Sequence, residues 1–133
     1  MSYLERWIEG LLQRQSMDLP NAIRIDGTRD VHLGPRMEFA KFAAIVEPAN
    51  TFEVVFQIRD PKLTSEQQAT LDHAIFGFLD VVMTSAAYPL RNLRVRIISV
   101  EFDPINSSAS AFRQAGRDAG GRLLDSLQVP RSS

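Results

Sequence analysis

Apolar residues recur at helical spacing through the first segment of the chain. They are Tyr3, Leu4, Trp7, Ile8, Leu11 and Leu12. Residues three and four positions apart lie on the same side of a helix, and mostly charged or amide side chains occupy the intervening positions. The pattern predicts an amphipathic helix over residues 1–17. Its apolar side is expected to pack either on the rest of the chain or on another subunit.

Three segments with strand-like patterns follow. They are residues 22–25, 39–47 and 52–59. The first is short and predicts an edge strand, whereas the other two predict longer strands. In the third, apolar residues at the even positions from Phe52 to Ile58 alternate with mostly polar ones, as in a strand with one buried side. The short connection after Pro48 predicts that the two longer strands pair as an antiparallel hairpin.

A helix is predicted from Glu66 to Ser85. Either Thr64 with Gln67 or Ser65 with Gln68 has the spacing of a capping box that opens a helix. The apolar residues expected to face the core are Leu71, Ile75, Phe78, Leu79 and Val82. Further apolar residues on this helix are Phe76, Val81 and Met83. They widen its apolar side beyond what one sheet covers, which favours a second covered surface.

The last third of the chain predicts a strand and then a helix. In the strand, Leu93, Val95 and Ile97 alternate with Arg94 and Arg96, so its polar side is basic. Candidate cap residues for the helix are Asn106, Ser107 and Ser108. Its apolar stripe contains Phe112, Ala115, Gly116, Ala119, Leu123 and Leu127. The small residues let the helix lie close to a sheet, and Gly120–Gly121 predicts a kink because glycine disfavours helix interiors.

Composition narrows the possible classes of protein. A chain of 133 residues fits one domain, and the absence of cysteine excludes disulfides, thiolate zinc sites and cysteine nucleophiles. A cytoplasmic location is expected, since Glu5 and Glu9 interrupt the N-terminal segment and no stretch predicts a secretory signal or a membrane span. The formal net charge of -1 argues against a strongly basic nucleic-acid binder, although it allows a local basic patch.

The residues that carry catalysis in other proteins are sparse here. The two histidines are His32 and His73, and Asp72 beside His73 projects in a different direction on a helix. Neither Lys41 nor Lys62 lies in the glycine-rich GxxxxGK[ST] sequence that binds nucleotide phosphates. We therefore expect a protein that is not an enzyme and has no metal, cofactor or bound nucleotide.

One stretch identifies a family. Its features are Tyr88-Pro89-Leu90, the alternating strand, Ser107-Ser108, Ala111-Phe112 and Ala115-Gly116. In this order, without insertion or deletion, the features resemble the closing half of domain IV of translation elongation factor G, and a looser likeness covers roughly Val31 to Leu124. The resemblance implies an α+β fold over residues 18–129. This fold is a two-layer sandwich of a mostly antiparallel four-stranded sheet and two helices, related to the C-terminal domain of a small-subunit ribosomal protein. Here it would carry the added N-terminal helix and a frayed tail, residues 130–133.

The resemblance also implies a contact surface. In the elongation factors, domain IV reaches the decoding centre and contacts tRNA and mRNA through two tip loops. The matching segments here are Gly34 to Phe39 and Ser99 to Asn106, and both depart from the family pattern. The first keeps Gly34 as its single glycine, and the second has Asp103 where the family has histidine. Lost backbone freedom and added negative charge should weaken contact with phosphates.

Two hypotheses of function follow. In the first, the chain is a non-enzymatic, domain IV-like protein that binds RNA or the ribosome. The contact residues would be His32, Gly34, Arg36, Arg94, Arg96, Glu101, Asp103 and Asn106. In the second, it is a dimerisation or protein-interaction module that has lost the RNA-contacting tip. The contact residues would be Tyr3, Leu4, Trp7, Ile8, Leu11, Phe76 and Met83.

Overall fold

The computed structural model describes residues 2–4, 19–58, 63–85, 90 and 92–127. In chain order its elements are β1 (Ile23–Leu33), β2 (Arg36–Pro48), β3 (Glu53–Phe56), α1 (Ser65–Leu79), a π-helical turn (Asp80–Ser85), β4 (Leu93–Glu101) and α2 (Ala109–Leu127). Most of the predicted N-terminal helix, including Trp7, Ile8 and Leu11, lies outside the described residues, as does the predicted tail. The predicted division of the chain into segments therefore stays a prediction.

The four strands form one sheet in the order β1-β2-β4-β3. β2 pairs antiparallel with both β1 and β4, whereas β3 pairs in parallel with β4. α1 and α2 pack together, and their buried residues join those of the strands in one apolar core. The largest fully buried side chains include Phe78 of α1, Phe112 of α2 and Ile97 of β4. This arrangement confirms the predicted α+β class of a mostly antiparallel four-stranded sheet with two helices.

The predicted hairpin between the second and third strands is wrong, because β4 lies between β2 and β3. A hairpin closed by residues 49–51 would have placed Glu47 opposite Glu53, and like charges directly opposite each other destabilise a strand pair. In the observed sheet Arg94 of β4 pairs with Glu47 on one side and Glu53 on the other. β4 also has a fully buried apolar side, which suits a central strand, whereas β3 is short and lies at the edge.

The other strands agree with the sequence patterns but differ in extent. The predicted edge strand at residues 22–25 is the beginning of β1, which continues to Leu33. β4 contains a bulge, because Ala44 pairs with Ile97 and Ala43 with Ser99, so that Ile98 is the extra residue. The bulge reverses the alternation: residues 93, 95 and 97 face the core before it, and residues 100 and 102 do so after it.

Both helices begin at capping residues that were candidates from the sequence. Thr64 and Gln67 form the capping box of α1, with the Gln67 amide donating to Thr64 Oγ1 at 3.1 Å and the Thr64 amide donating to Gln67 Oε1 at 3.0 Å. α1 ends at Leu79, and the remainder of the predicted helix is the π-helical turn. At the start of α2, Ser108 Oγ accepts a hydrogen bond from the Ala111 amide at 3.1 Å.

α1 and α2 approach each other at glycines. A β-carbon on Gly77 would lie 1.9 Å from the carbonyl oxygen of Arg113, and one on Gly116 would lie 1.9 Å from that of Ala74. Backbone therefore packs directly on backbone at both positions. α2 runs continuously through Gly120–Gly121, so these glycines do not interrupt the helix.

Candidate functional site

The β1–β2 hairpin projects beyond the rest of the sheet. β2 pairs with β4 only as far as Lys41 and Glu101, whereas it pairs with β1 as far as Arg36 and Leu33. Since an antiparallel strand rises by about 3.4 Å per residue, the hairpin extends roughly 17 Å past the end of β4. We call residues 29–39 of this hairpin, together with residues 101–108 of the following loop, the tip.

A tight turn closes the hairpin. Gly34 and Pro35 are the two connecting residues, and Gly34 has a φ of 62°, which side chains with a β-carbon rarely adopt. Glycine at the first position fits the type II′ turns that favour two-residue hairpins, and proline supplies the negative φ needed next. Most of the predicted first loop, Gly34 to Phe39, is therefore strand. His32 lies beside this turn and is exposed.

The second half of the tip is attached to the hairpin at Phe39. The Phe39 amide donates to the carbonyl oxygen of Asn106 at 3.1 Å, and Ser107 Oγ donates to the carbonyl oxygen of Phe39 at 2.6 Å. Ser107 Oγ also accepts from the Asp103 amide at 2.8 Å. These bonds make the hairpin and the loop one unit. The family resemblance pointed to two loops, but Phe39 and Ser107 were not predicted to join them.

Asp103 holds the conformation of the loop. Its carboxylate accepts hydrogen bonds from the amides of Ile105 at 2.8 Å and Asn106 at 3.0 Å, and from the Asn106 side chain at 3.2 Å. The hydrogen bond from the Ile105 amide, followed by those from Asn106, lowers the pKa of Asp103 because each favours the ionised carboxylate. The aspartate that departs from the family pattern thus has a structural role in this loop.

The tip is not basic. Its carboxylates are Asp30, Glu38, Glu101 and Asp103, and its arginines are Arg29 and Arg36. Arg29 Nε donates to Glu38 Oε2 at 2.9 Å, so one of these arginines is already paired within the tip. A surface that binds phosphates needs an excess of cations, which this end of the sheet lacks.

Arg94 and Arg96 are not part of the tip. They lie toward the other end of β4 and form ion pairs with acidic residues of the neighbouring strands. Arg94 Nε is 2.9 Å from Glu53 Oε2, and Arg96 Nε is 3.0 Å from Glu47 Oε1. The hydrogen bond to Glu53 is the main reason that the pKa of Arg94 is raised. Gln57 accepts a further hydrogen bond from Arg96 Nη1 at 3.1 Å.

Four residues of the second hypothesis lie in the described part of the chain: Tyr3, Leu4, Phe76 and Met83. Phe76 on α1 is 50% exposed, and its ring forms a T-shaped contact with the ring of His73, with ring centres 5.5 Å apart. Met83 is partly buried against the core. Tyr3 and Leu4 are exposed, whereas Trp7, Ile8 and Leu11 lie outside the described residues.

A shallow cavity of about 600 Å³ opens on the sheet. Its polar lining consists of Arg24, Asp26, Thr28, Lys41, Ser99, Glu101 and Arg122. Both acidic and basic side chains line it, and Arg24 lies 3.7 Å from Asp26. Arg122 of the lining pairs at 3.1 Å with Asp118, which lies outside the lining. Among the described residues, no group of three or more histidine, aspartate or glutamate side chains is placed to hold a metal ion.

Residues 24–125 match the family model of elongation factor G, domain IV. The chain belongs to this family. Its fold is also similar to a crystal structure of a protein from Thermus thermophilus, with a TM-score of 0.66 and 16% sequence identity. The similarity covers 78% of this chain but 16% of the Thermus thermophilus protein, so this chain spans only a small part of that protein's length. No curated protein matches the sequence.

Membership of the domain IV family confirms the predicted resemblance and fold. The described helices include none that is long and apolar enough to cross a membrane. Of the eight residues predicted to contact RNA or the ribosome, six lie in the tip, whereas Arg94 and Arg96 lie toward the other end of β4.

Proposed function

We propose that this domain IV-like protein acts in translation as a non-enzymatic, cytoplasmic factor that contacts the ribosome through the tip. The contact residues in this proposal are His32, Gly34, Arg36, Glu101, Asp103 and Asn106. The observation that carries the proposal is the pair of hydrogen bonds at Phe39, because they combine the projecting hairpin and the loop into one ordered surface. Family membership favours the ribosome as the partner.

The test is co-sedimentation of the full chain with ribosomes over a series of salt concentrations. Ser107→Ala removes the bond to the Phe39 carbonyl and is expected to weaken binding, because the loop must then be ordered on association. Thr51→Ala changes an exposed residue at the opposite end of the sheet and serves as the control. Failure of the unmodified protein to co-sediment at low salt would contradict the proposal.

The second candidate function is a dimerisation or protein-interaction module that uses α1. Phe76 favours it, because a half-exposed phenylalanine on a helix whose other side packs on α2 is available to a partner. Light scattering of the free protein tests this function. A dimer that dissociates with Phe76→Ser, and does not respond to Ser107→Ala, would support it.

A further inference from the structure

The loop of the tip, residues 101–108, exposes a large apolar side chain to solvent. Ile105 is 88% exposed, and Met37, on the hairpin side of the tip, is 45% exposed. Two other exposed apolar side chains, Phe56 and Phe76, lie on β3 and α1. Transferring an isoleucine side chain out of water favours association, so Ile105 can serve as an anchor of the tip.

The loop presents Ile105 in a fixed conformation. The amides of Ile105 and the following residue both donate to the carboxylate of Asp103. Pro104 restricts the backbone on the other side of Ile105, and Ser107 attaches the loop to β2. A loop whose backbone is already ordered loses less conformational entropy when it binds, which increases the affinity available from a small contact.

The chemistry of this surface fits a protein better than RNA. Isoleucine has no donor for phosphate oxygens or base edges, and RNA binding depends largely on cations that neutralise phosphates. The nearest charged positions along this loop are Glu101 and Asp103, both acidic. An apolar anchor beside carboxylates is complementary to an apolar pocket with lysine or arginine at its rim.

We infer that Ile105 anchors the tip in an apolar pocket of a protein component of the ribosome whose rim is basic. This inference rests on the proposed function and specifies the class of molecule that the tip contacts. Ile105 inserts into the pocket, Met37 covers its edge, and Glu101 faces the basic rim.

Photocrosslinking identifies the contacted molecule directly. A diazirine amino acid at position 105 reacts with protein or RNA within its reach, and the same amino acid at exposed Asn50, in the loop between β2 and β3, is the control. The expected result is a covalent adduct with a ribosomal protein from position 105 that is absent from position 50. An adduct with ribosomal RNA alone, or none at full ribosome occupancy, would overturn the inference.

Affinity provides the second measurement. Ile105→Ser should weaken ribosome binding about tenfold, the expected scale for losing one buried aliphatic side chain, whereas Ile105→Leu should retain most of it. Because Ile105 is exposed, neither change should alter the melting temperature. Unmodified protein that binds while Ile105→Ser binds equally well refutes the anchor but not the proposed function. Unmodified protein that never binds refutes both.

Discussion

At the scale of single residues, the contact between α1 and α2 depends on the absence of side chains. Gly77 has the carbonyl oxygen of Arg113 where a β-carbon would be, and backbone cannot move aside as a flexible side chain can. Gly77→Ala should therefore lower the free energy of unfolding by about 3 kcal/mol, the upper range for overpacking, despite the better helix propensity of alanine. Urea unfolding of the two proteins measures this difference.

Gly34→Ala is the matched control, because nothing lies within 4 Å of the added β-carbon and only the φ of 62° opposes it. Its expected cost is about 1–2 kcal/mol, the penalty for a positive φ at a residue with a β-carbon. If both substitutions cost the same, the close approach of the helices does not limit stability.

Asp80, at the start of the π-helical turn, links the two helices through charge. It accepts hydrogen bonds from Arg113 at 3.0 Å and Arg117 at 3.2 Å. The hydrogen bond from Arg113 is the main cause that lowers the pKa of Asp80. Since the pKa in the folded state lies below the unfolded value of about 3.9, the stabilisation is present above that pH and is lost as the pH falls through the folded pKa.

Asp80→Asn should thus be less stable than the unmodified protein at pH 7, by about 1 kcal/mol for a partly exposed ion pair. The difference should shrink toward zero as the pH falls through the lowered pKa of Asp80 in the folded state, because asparagine does not titrate. Urea unfolding at a series of pH values tests this, with Asp72→Asn on α1 as the comparison. A difference that is independent of pH would mean that the carboxylate charge is unimportant.

At the scale of elements, α2 protects the exposed edge of the sheet. β1 is a long edge strand, and the Thr28 amide on its free side donates to Asp118 Oδ2 of α2 at 3.0 Å. Asp118→Ala should remove this bond, lower the free energy of unfolding by about 1 kcal/mol and accelerate hydrogen exchange at the Thr28 amide. Exchange measured by NMR reports on that one amide.

Arg122→Ala is the control for this prediction. Arg122 pairs with Asp118 at 3.1 Å, so its removal takes away the ion pair and leaves the acceptor of the Thr28 amide in place. Protection of Thr28 should then persist. Equal loss of protection in both variants would show that the ion pair, rather than the hydrogen bond, holds the edge.

The sequence predicted the elements better than their partners. Alternation and the Thr64 cap located β2, β4 and α1 correctly, because these signals are local. The parallel pairing of β3 with β4 depends on contacts between distant residues, so adjacency in the chain suggested a hairpin instead. The sequence did contain evidence against this hairpin, because it would have placed Glu47 directly opposite Glu53. The bulge at Ile98 could not be predicted either, because it is defined by the register between β4 and β2.

The candidate site was predicted only in part, again because some of its contacts join residues that are distant in the chain. The resemblance identified both segments of the tip, and glycine at position 34 correctly marks a turn. A basic alternation in β4 suggested that Arg94 and Arg96 belonged to the same surface. Their partners Glu47 and Glu53 come from other strands, so their pairing became visible only with the sheet assembled.

At the scale of the whole molecule, the two ends of the sheet are built differently. Hydrogen bonds to the backbone of Phe39 order the tip, which projects into solvent. Toward the other end, Arg94 and Arg96 connect three strands by ion pairs with Glu47 and Glu53. We therefore expect substitutions in the tip to reduce ribosome binding, and substitutions of Arg94 and Arg96 to reduce stability without changing binding.

Replacing Arg94 and Arg96 together by glutamine tests this separation. The double variant should unfold at lower urea concentration, by about 1 kcal/mol for partly exposed pairs, because both glutamates lose their counter-charges. Ribosome co-sedimentation should be unchanged, whereas Ser107→Ala should reduce it. Glutamine is preferable to glutamate here, since new carboxylates beside Glu47 and Glu53 would destabilise the sheet by repulsion. If the folded double variant loses ribosome binding, the contact surface extends from the tip along β4, as the basic pattern of that strand first suggested.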